Sequence, residues 1–164
     1  MSLALFFFFA FPALMAFAAS YDALAMRITN GLCLLTAMAF VPAGIAAGLS
    51  LETMLQHLAC ALAMLAAGFA LFSRGWIGGG DAKLFAAAAL WIGWSGIAQF
   101  TALVAIAGGL LALGALVLGL VRQAAMSSPA VIANSQAELP YGVALACGAL
   151  IVYPQTIWAR ALLA

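Results

Sequence analysis

Charge is what this sequence has least of. Its 164 residues hold five Lys or Arg, four Asp or Glu and one His, so charged residues make up 5% of the chain, against about 25% in ordinary globular domains. With 69% apolar residues and a mean hydropathy of +1.26, the chain cannot clothe a water-exposed surface, and its solvent is the lipid bilayer. A net charge of +1 excludes the clustered basic face that nucleic acid requires, so no nucleic-acid partner is expected. Cysteine is scarce as well. Cys33, Cys60 and Cys147 stand alone within apolar runs, which excludes paired CxxC metal or redox sites and leaves small packing residues. The one histidine, His57, reads as an interfacial residue. A histidine-built metal centre is excluded, and a serine or cysteine nucleophile would lack a nearby base. No metal and no cofactor are expected.

What the chain does have is apolar length, cut by its few charges into pieces that a bilayer accepts. A spanning helix needs about 20 mostly apolar residues. Residues 1–21 carry no charge and include Phe6-Phe7-Phe8-Phe9, giving a first span of about 3–22. The uncharged stretch that follows Arg27 gives a second span of about 31–49, and residues 53–73 give a third. Residues 84–121 are again free of charge. At 1.5 Å per residue they would extend roughly 57 Å, nearly two hydrocarbon thicknesses. Gly93-Trp94-Ser95-Gly96 supplies a turn that divides them into spans of about 83–96 and 98–121. Residues 122–138, with Ser127-Ser128-Pro129 and Asn134-Ser135-Gln136, read as a polar loop. A sixth span of about 141–159 follows Pro140. The expected fold is therefore all-α: residues 1–164 as one integral-membrane bundle of six transmembrane helices.

Basic residues orient such a bundle. With six spans, the loops after the first, third and fifth hold Arg27, Arg74, Lys83 and Arg122, and the opposite side holds only Arg160. Those loops are expected to face the cytoplasm, with both termini outside.

Both aspartates of the chain, Asp22 and Asp81, then fall on the cytoplasmic face. Asp81 follows Gly78-Gly79-Gly80 and opens an apolar run. An N-cap role is available to it, but a cap does not need three glycines. Glycine removes the side-chain barrier to an approaching backbone, so Gly78 and Gly80 leave room for an extended substrate strand. Asp22 stands near the C-terminal end of its helix, where the macrodipole disfavours negative charge. A carboxyl placed against the local field beside lipid is a functional-site candidate; pairing with Arg27 is the structural alternative. The dipoles make Asp81 the base and Asp22 the acid of a pair acting on one water. Glu138, beside Pro140-Tyr141-Gly142, is placed to contact substrate. Two buried aspartates could instead serve a small transporter or channel subunit carrying protons or cations.

The motifs resemble those of the prepilin peptidases, the type IV prepilin peptidase family of the GxGD aspartic proteases. Asp22 followed by Arg27-Ile28-Thr29-Asn30-Gly31 is similar to the family's first motif, with Thr29 where proline is usual. Gly78-Gly79-Gly80-Asp81-Ala82-Lys83 matches GxGD with a lysine two residues on, and Pro140-Tyr141-Gly142 is also similar. The resemblance implies catalytic Asp22 and Asp81, support of substrate or loop by Gly78, Gly80, Lys83, Asn30, Glu138, Pro140 and Tyr141, and prepilin or pseudopilin substrates cut at the cytoplasmic face of a bacterial inner membrane. The larger enzymes' CxxC-bearing domain, associated with N-methylation, has no counterpart here. That absence resembles the short, peptidase-only branch of the Flp or tight-adherence pilus systems. Tyr21-Asp22 also resembles the presenilin and signal-peptide-peptidase group, where the two aspartates lie on adjacent helices rather than two spans apart.

Overall fold

The computed structural model describes residues 3–125 and 139–159. Helices α1 (Leu3–Ala25), α2 (Asn30–Ala46), α3 (Leu51–Ser73), α4 (Gly79–Ala125) and α5 (Tyr141–Val152) follow one another, and a 3₁₀ turn at Tyr153–Gln155 comes after α5. No strand occurs among the described residues. Helices α1, α3 and α4 contain stretches long and apolar enough to cross a membrane, at Phe6–Ala25, Leu51–Ser73 and Gly79–Val121; Asn30–Ala46 and Tyr141–Gln155 are shorter apolar helices. Large side chains point outward along the helices, among them Leu24 at 89% exposure and Ile45 at 69%. Only lipid makes such a surface tolerable.

The long helix α4 is not straight. Gly93 adopts φ 70° and ψ 179°, a conformation open essentially to glycine alone. The chain reverses there, because Phe85 and Phe100 stack with ring centroids 5.3 Å apart. On a straight helix their 15-residue separation would put them roughly 22 Å apart. We call the arms α4a (79–92) and α4b (94–125). A break of this kind deprives the preceding carbonyls of their helical partners, and two side chains replace them. His57 on α3 donates its Nδ1–H to the Leu90 carbonyl at 2.7 Å, and Trp158 Nε1 donates to the Trp91 carbonyl at 2.7 Å. His57 is thus buried and structural rather than interfacial.

Around the reversal lies an aromatic core. Trp91 stacks on Phe11 at 5.0 Å and lies 4.8 Å from Trp158, while Phe40 meets Trp91 edge-on. Trp91 Nε1 donates to the Thr36 carbonyl of α2, and the Tyr153 hydroxyl to the Phe8 carbonyl of α1. These contacts tie α1, α2, α4a and the end of α5 together about 15 Å along the helices from Asp22 and Asp81. The rods leaving this clamp present their far ends to one another.

Helix α1 runs three residues past its expected end and α2 stops three short of its own, and three further differences bear on the site and its surroundings. Helix α4 begins at Gly79, so Asp81 is its third residue and not its cap. Helix α5 stops at Val152, well short of 159, because Pro154 lacks an N–H and sets a 3₁₀ turn. Helix α4 runs to Ala125, past the expected start of the polar loop. Residues 126–138, Glu138 among them, lie outside the described residues.

Candidate active site

The two aspartates stand where α1 ends and α4a begins, with the start of α5 beside Asp22. Asp22 sits one turn before the end of α1 and is buried, with 4% exposure. The helix closes with Met26 at φ 49°, its N–H donating to the Asp22 carbonyl at 2.8 Å. A left-handed turn is normally taken by glycine at this place, so the chain accepts mild strain just beyond the aspartate. Asp81 is half-buried in the first turn of α4a. Its carboxyl turns back over Gly78 and interacts with that residue's backbone N–H, as the third residue of a capping box does. A Cβ on Gly78 would lie 2.6 Å from Asp81 Oδ2. The Asp22 and Asp81 carboxyls are close enough for the charge of one to act on the other.

Glycine makes this approach possible. A Cβ on Gly80 would lie 3.0 Å from both Cβ and the carbonyl oxygen of Ile28, in the loop after α1. Gly80 therefore lets the start of α4a nest against the segment just beyond Asp22. The expected space for a substrate strand is at this point filled by the protein itself. Likewise, Gly68 lets α3 approach Ala82, where an added Cβ would stand 3.1 Å from the Ala82 Cβ. Cys33 Sγ approaches the Gly80 carbonyl at 3.8 Å, and Lys83 Nζ donates to Asn30 Oδ1 at 2.7 Å. Both contacts join the start of α2 to the start of α4a. Thr29, in place of the usual proline, caps α2 by accepting from the Leu32 N–H at 3.3 Å.

Asp22 is held from a third direction. Gly142 donates its backbone N–H to Asp22 Oδ2 at 2.7 Å. Arg27, the structural alternative, is exposed. Tyr141, the first residue of α5, packs its ring and hydroxyl over Gly108 of α4b, where a Cβ would fall 2.5 Å from the hydroxyl oxygen. Pro140 precedes it as the helix cap, without a side-chain bond. The field at Asp22 is therefore not that of α1 alone, since the positive end of α5 also faces it. The dipole argument that made Asp22 the acid saw only one of these two helices.

Of the expected site residues, the structure brings Asp22, Asp81, Gly78, Gly80, Asn30, Lys83, Pro140 and Tyr141 to one end of the bundle. Ile28, Cys33, Gly108 and Gly142 complete it without having been singled out. Ile28 and Gly142 had a local signal, their places in the Arg27–Gly31 motif and after Pro140-Tyr141; Cys33 and Gly108 had none.

The sequence pattern of the type IV leader peptidase family matches residues 9–113, a stretch that includes both aspartates. The chain belongs to the type IV leader peptidase family. The match places it with these proteases rather than with the presenilin group. Membership makes it a protease embedded in a membrane, consistent with its apolar helices. The matched region contains α1 to the middle of α4b, and α5 lies beyond it. No curated protein and no solved structure matches the chain.

Proposed function

We propose that the protein is an intramembrane aspartic endopeptidase that removes the leader of prepilins or pseudopilins, with Asp22 and Asp81 as its catalytic pair. What supports the reading is one observation: two carboxyls 59 positions apart in sequence converge where three helix ends meet, near enough for their charges to interact. A water between them can be activated by one carboxylate as it adds to the scissile carbonyl. The other, protonated, delivers its proton as the tetrahedral adduct collapses to a new carboxyl and a free amine. The charge of Asp22 acts on Asp81, which suits the two carboxyls to this division of labour.

Six spans remain part of the proposal, with α4a and α4b as the fourth and fifth. The loop holding Arg27, the loop opened by Arg74 and the start of α4a with Lys83 then face the cytoplasm of a bacterial inner membrane and carry the site with them. A substrate whose own apolar helix lies in the bilayer can present its leader junction at this boundary, so the enzyme needs few charged contacts. The reaction proposed is hydrolysis alone, without methylation of the product. A proton- or cation-conducting role has less support. Thr36 and His57, buried away from the aspartates, are tied to the carbonyls of Leu32 and Leu90. Purified protein incubated with a prepilin, followed by N-terminal sequencing, tests the reading. A single new N-terminus at the leader junction is expected; an intact substrate under conditions where the protein is folded would contradict it.

A further inference from the structure

The bond from Gly142 to Asp22 joins residues 120 positions apart and comes from a helix outside the region matched by the family. Every other polar contact that shapes the site runs among α1, α2 and α4a. Helix α5 reaches Asp22 with a backbone N–H, a donor whose direction is set by the helix and not by a side-chain rotamer. The approach is tight, since a Cβ on Gly142 would stand 2.9 Å from both Cβ and Oδ2 of Asp22. The helix start is itself pinned by the Tyr141 ring over Gly108. Asp22 is buried and its Oδ2 accepts this bond, which restricts how the carboxyl can turn.

We propose that the Gly142 N–H is a positioning group for catalysis, orienting the Asp22 carboxyl toward Asp81. The inference rests on the reading of Asp22 and Asp81 as the catalytic pair. Gly142 acts through Asp22, and it must be glycine because any side chain would occupy the volume of the carboxyl that it holds.

Two variants of the full-length protein separate the donor from the space. Gly142→Ala keeps the N–H but displaces the Asp22 carboxyl. Replacing residue 142 by its α-hydroxy counterpart, glycolic acid, turns the amide into an ester, removes the donor and adds no atom. A carboxyl misplaced by about 1 Å costs on the order of 100-fold in rate. The expected result is therefore a kcat reduced about 100-fold for Gly142→Ala and at least about tenfold for the ester, with KM within twofold of the parent in prepilin cleavage. Gly148→Ala is the structural control. Its Cβ would stand 2.8 Å from Val104 Cγ2, straining α5 away from Asp22, and it should lower the melting temperature while leaving kcat within about threefold. The inference is overturned if the ester turns over at the parental kcat, if the loss appears in KM, or if Gly148→Ala loses as much kcat as Gly142→Ala. Asp22→Asn, assayed beside them, distinguishes the failures. If it is inactive while the ester is fully active, the positioning role fails and the aspartic peptidase stands. If it is active, both fail.

Discussion

Adding one methyl group to Gly80 tests whether the convergence of the aspartates depends on backbone nesting. In Gly80→Ala the new carbon would stand 3.0 Å from both Cβ and the carbonyl oxygen of Ile28. Ordinary contact between carbons is about 3.5–4.0 Å and a carbon–oxygen contact is somewhat shorter, so roughly 0.3–0.5 Å must be found by moving backbone on one side or the other. No rotamer change can absorb it, since the obstacle is the main chain and Cβ of residue 28 and the mover is the first turn of α4a. Overpacking of this kind costs about 1–3 kcal/mol, and the shift separates the segment after Asp22 from the start of Asp81's helix. At about 100-fold per ångström of misplacement, cleavage should fall about 4- to 10-fold. The sign is informative, because helix propensity alone makes Gly→Ala stabilising by up to about 1 kcal/mol. Gly31, also helical, has no atom within 4 Å of an added Cβ, so Gly31→Ala is the matched control and should be neutral or mildly stabilising. Thermal unfolding and prepilin cleavage in detergent or nanodiscs read both quantities. A Gly80→Ala protein that melts higher and cleaves at the parental rate would refute the nesting argument.

Gly93→Ala should be among the most destabilising single changes, since it combines a glycine-only backbone conformation with a Cβ 2.6 Å from the His57 ring; about 2–4 kcal/mol is expected from strain and overpacking together. His57→Ala leaves the Leu90 carbonyl without its 2.7 Å partner and should cost about 1–3 kcal/mol, measured by denaturation, with cleavage retained in the folded fraction. Lys83→Ala and Asn30→Ala remove one exposed bond and should not be additive, with a coupling below about 1 kcal/mol in a double-mutant cycle on cleavage. Single cysteines placed at positions 78 and 130 should resist an impermeant reagent added from outside the cell; labelling of either would reverse the proposed orientation.

The helical class and the two carboxyls were legible because they depend on local pattern. Uncharged runs set helices, and an aspartate beside three glycines asks for more than the helix-cap role open to it. The reversal within residues 84–121 was legible from Gly93, because a hairpin in lipid needs a residue free to take φ near 70°. What could not be read depends on distance along the chain. Ile28 beside Gly80 and Gly142 beside Asp22 are contacts between remote segments, and no spacing rule announces them. The space beside Gly80 was assigned to substrate because a glycine looks the same whether its missing side chain makes way for a ligand or for the protein's own backbone. The start of α4a was placed too late for a similar reason. Glycine is a poor helix former, yet the Ala82 N–H closes the first turn on the Gly78 carbonyl at 3.1 Å and takes Gly79 and Gly80 into α4a. His57 was taken for an interfacial residue because its partner, a carbonyl freed by the break at Gly93, exists only once the hairpin forms.

The central claim is that Asp22 and Asp81 act as one pair. Asp22→Asn and Asp81→Asn preserve side-chain volume and most hydrogen bonding, so each variant should insert and fold like the parent protein. Cleavage of a prepilin by each purified variant, followed by mass spectrometry of the product, is the direct measurement. Loss of at least about 1,000-fold in kcat for both, with the double variant no worse than either single one, is the result expected of a pair that works as a unit. Measurable leader removal by a well-folded Asn variant at either position would contradict it.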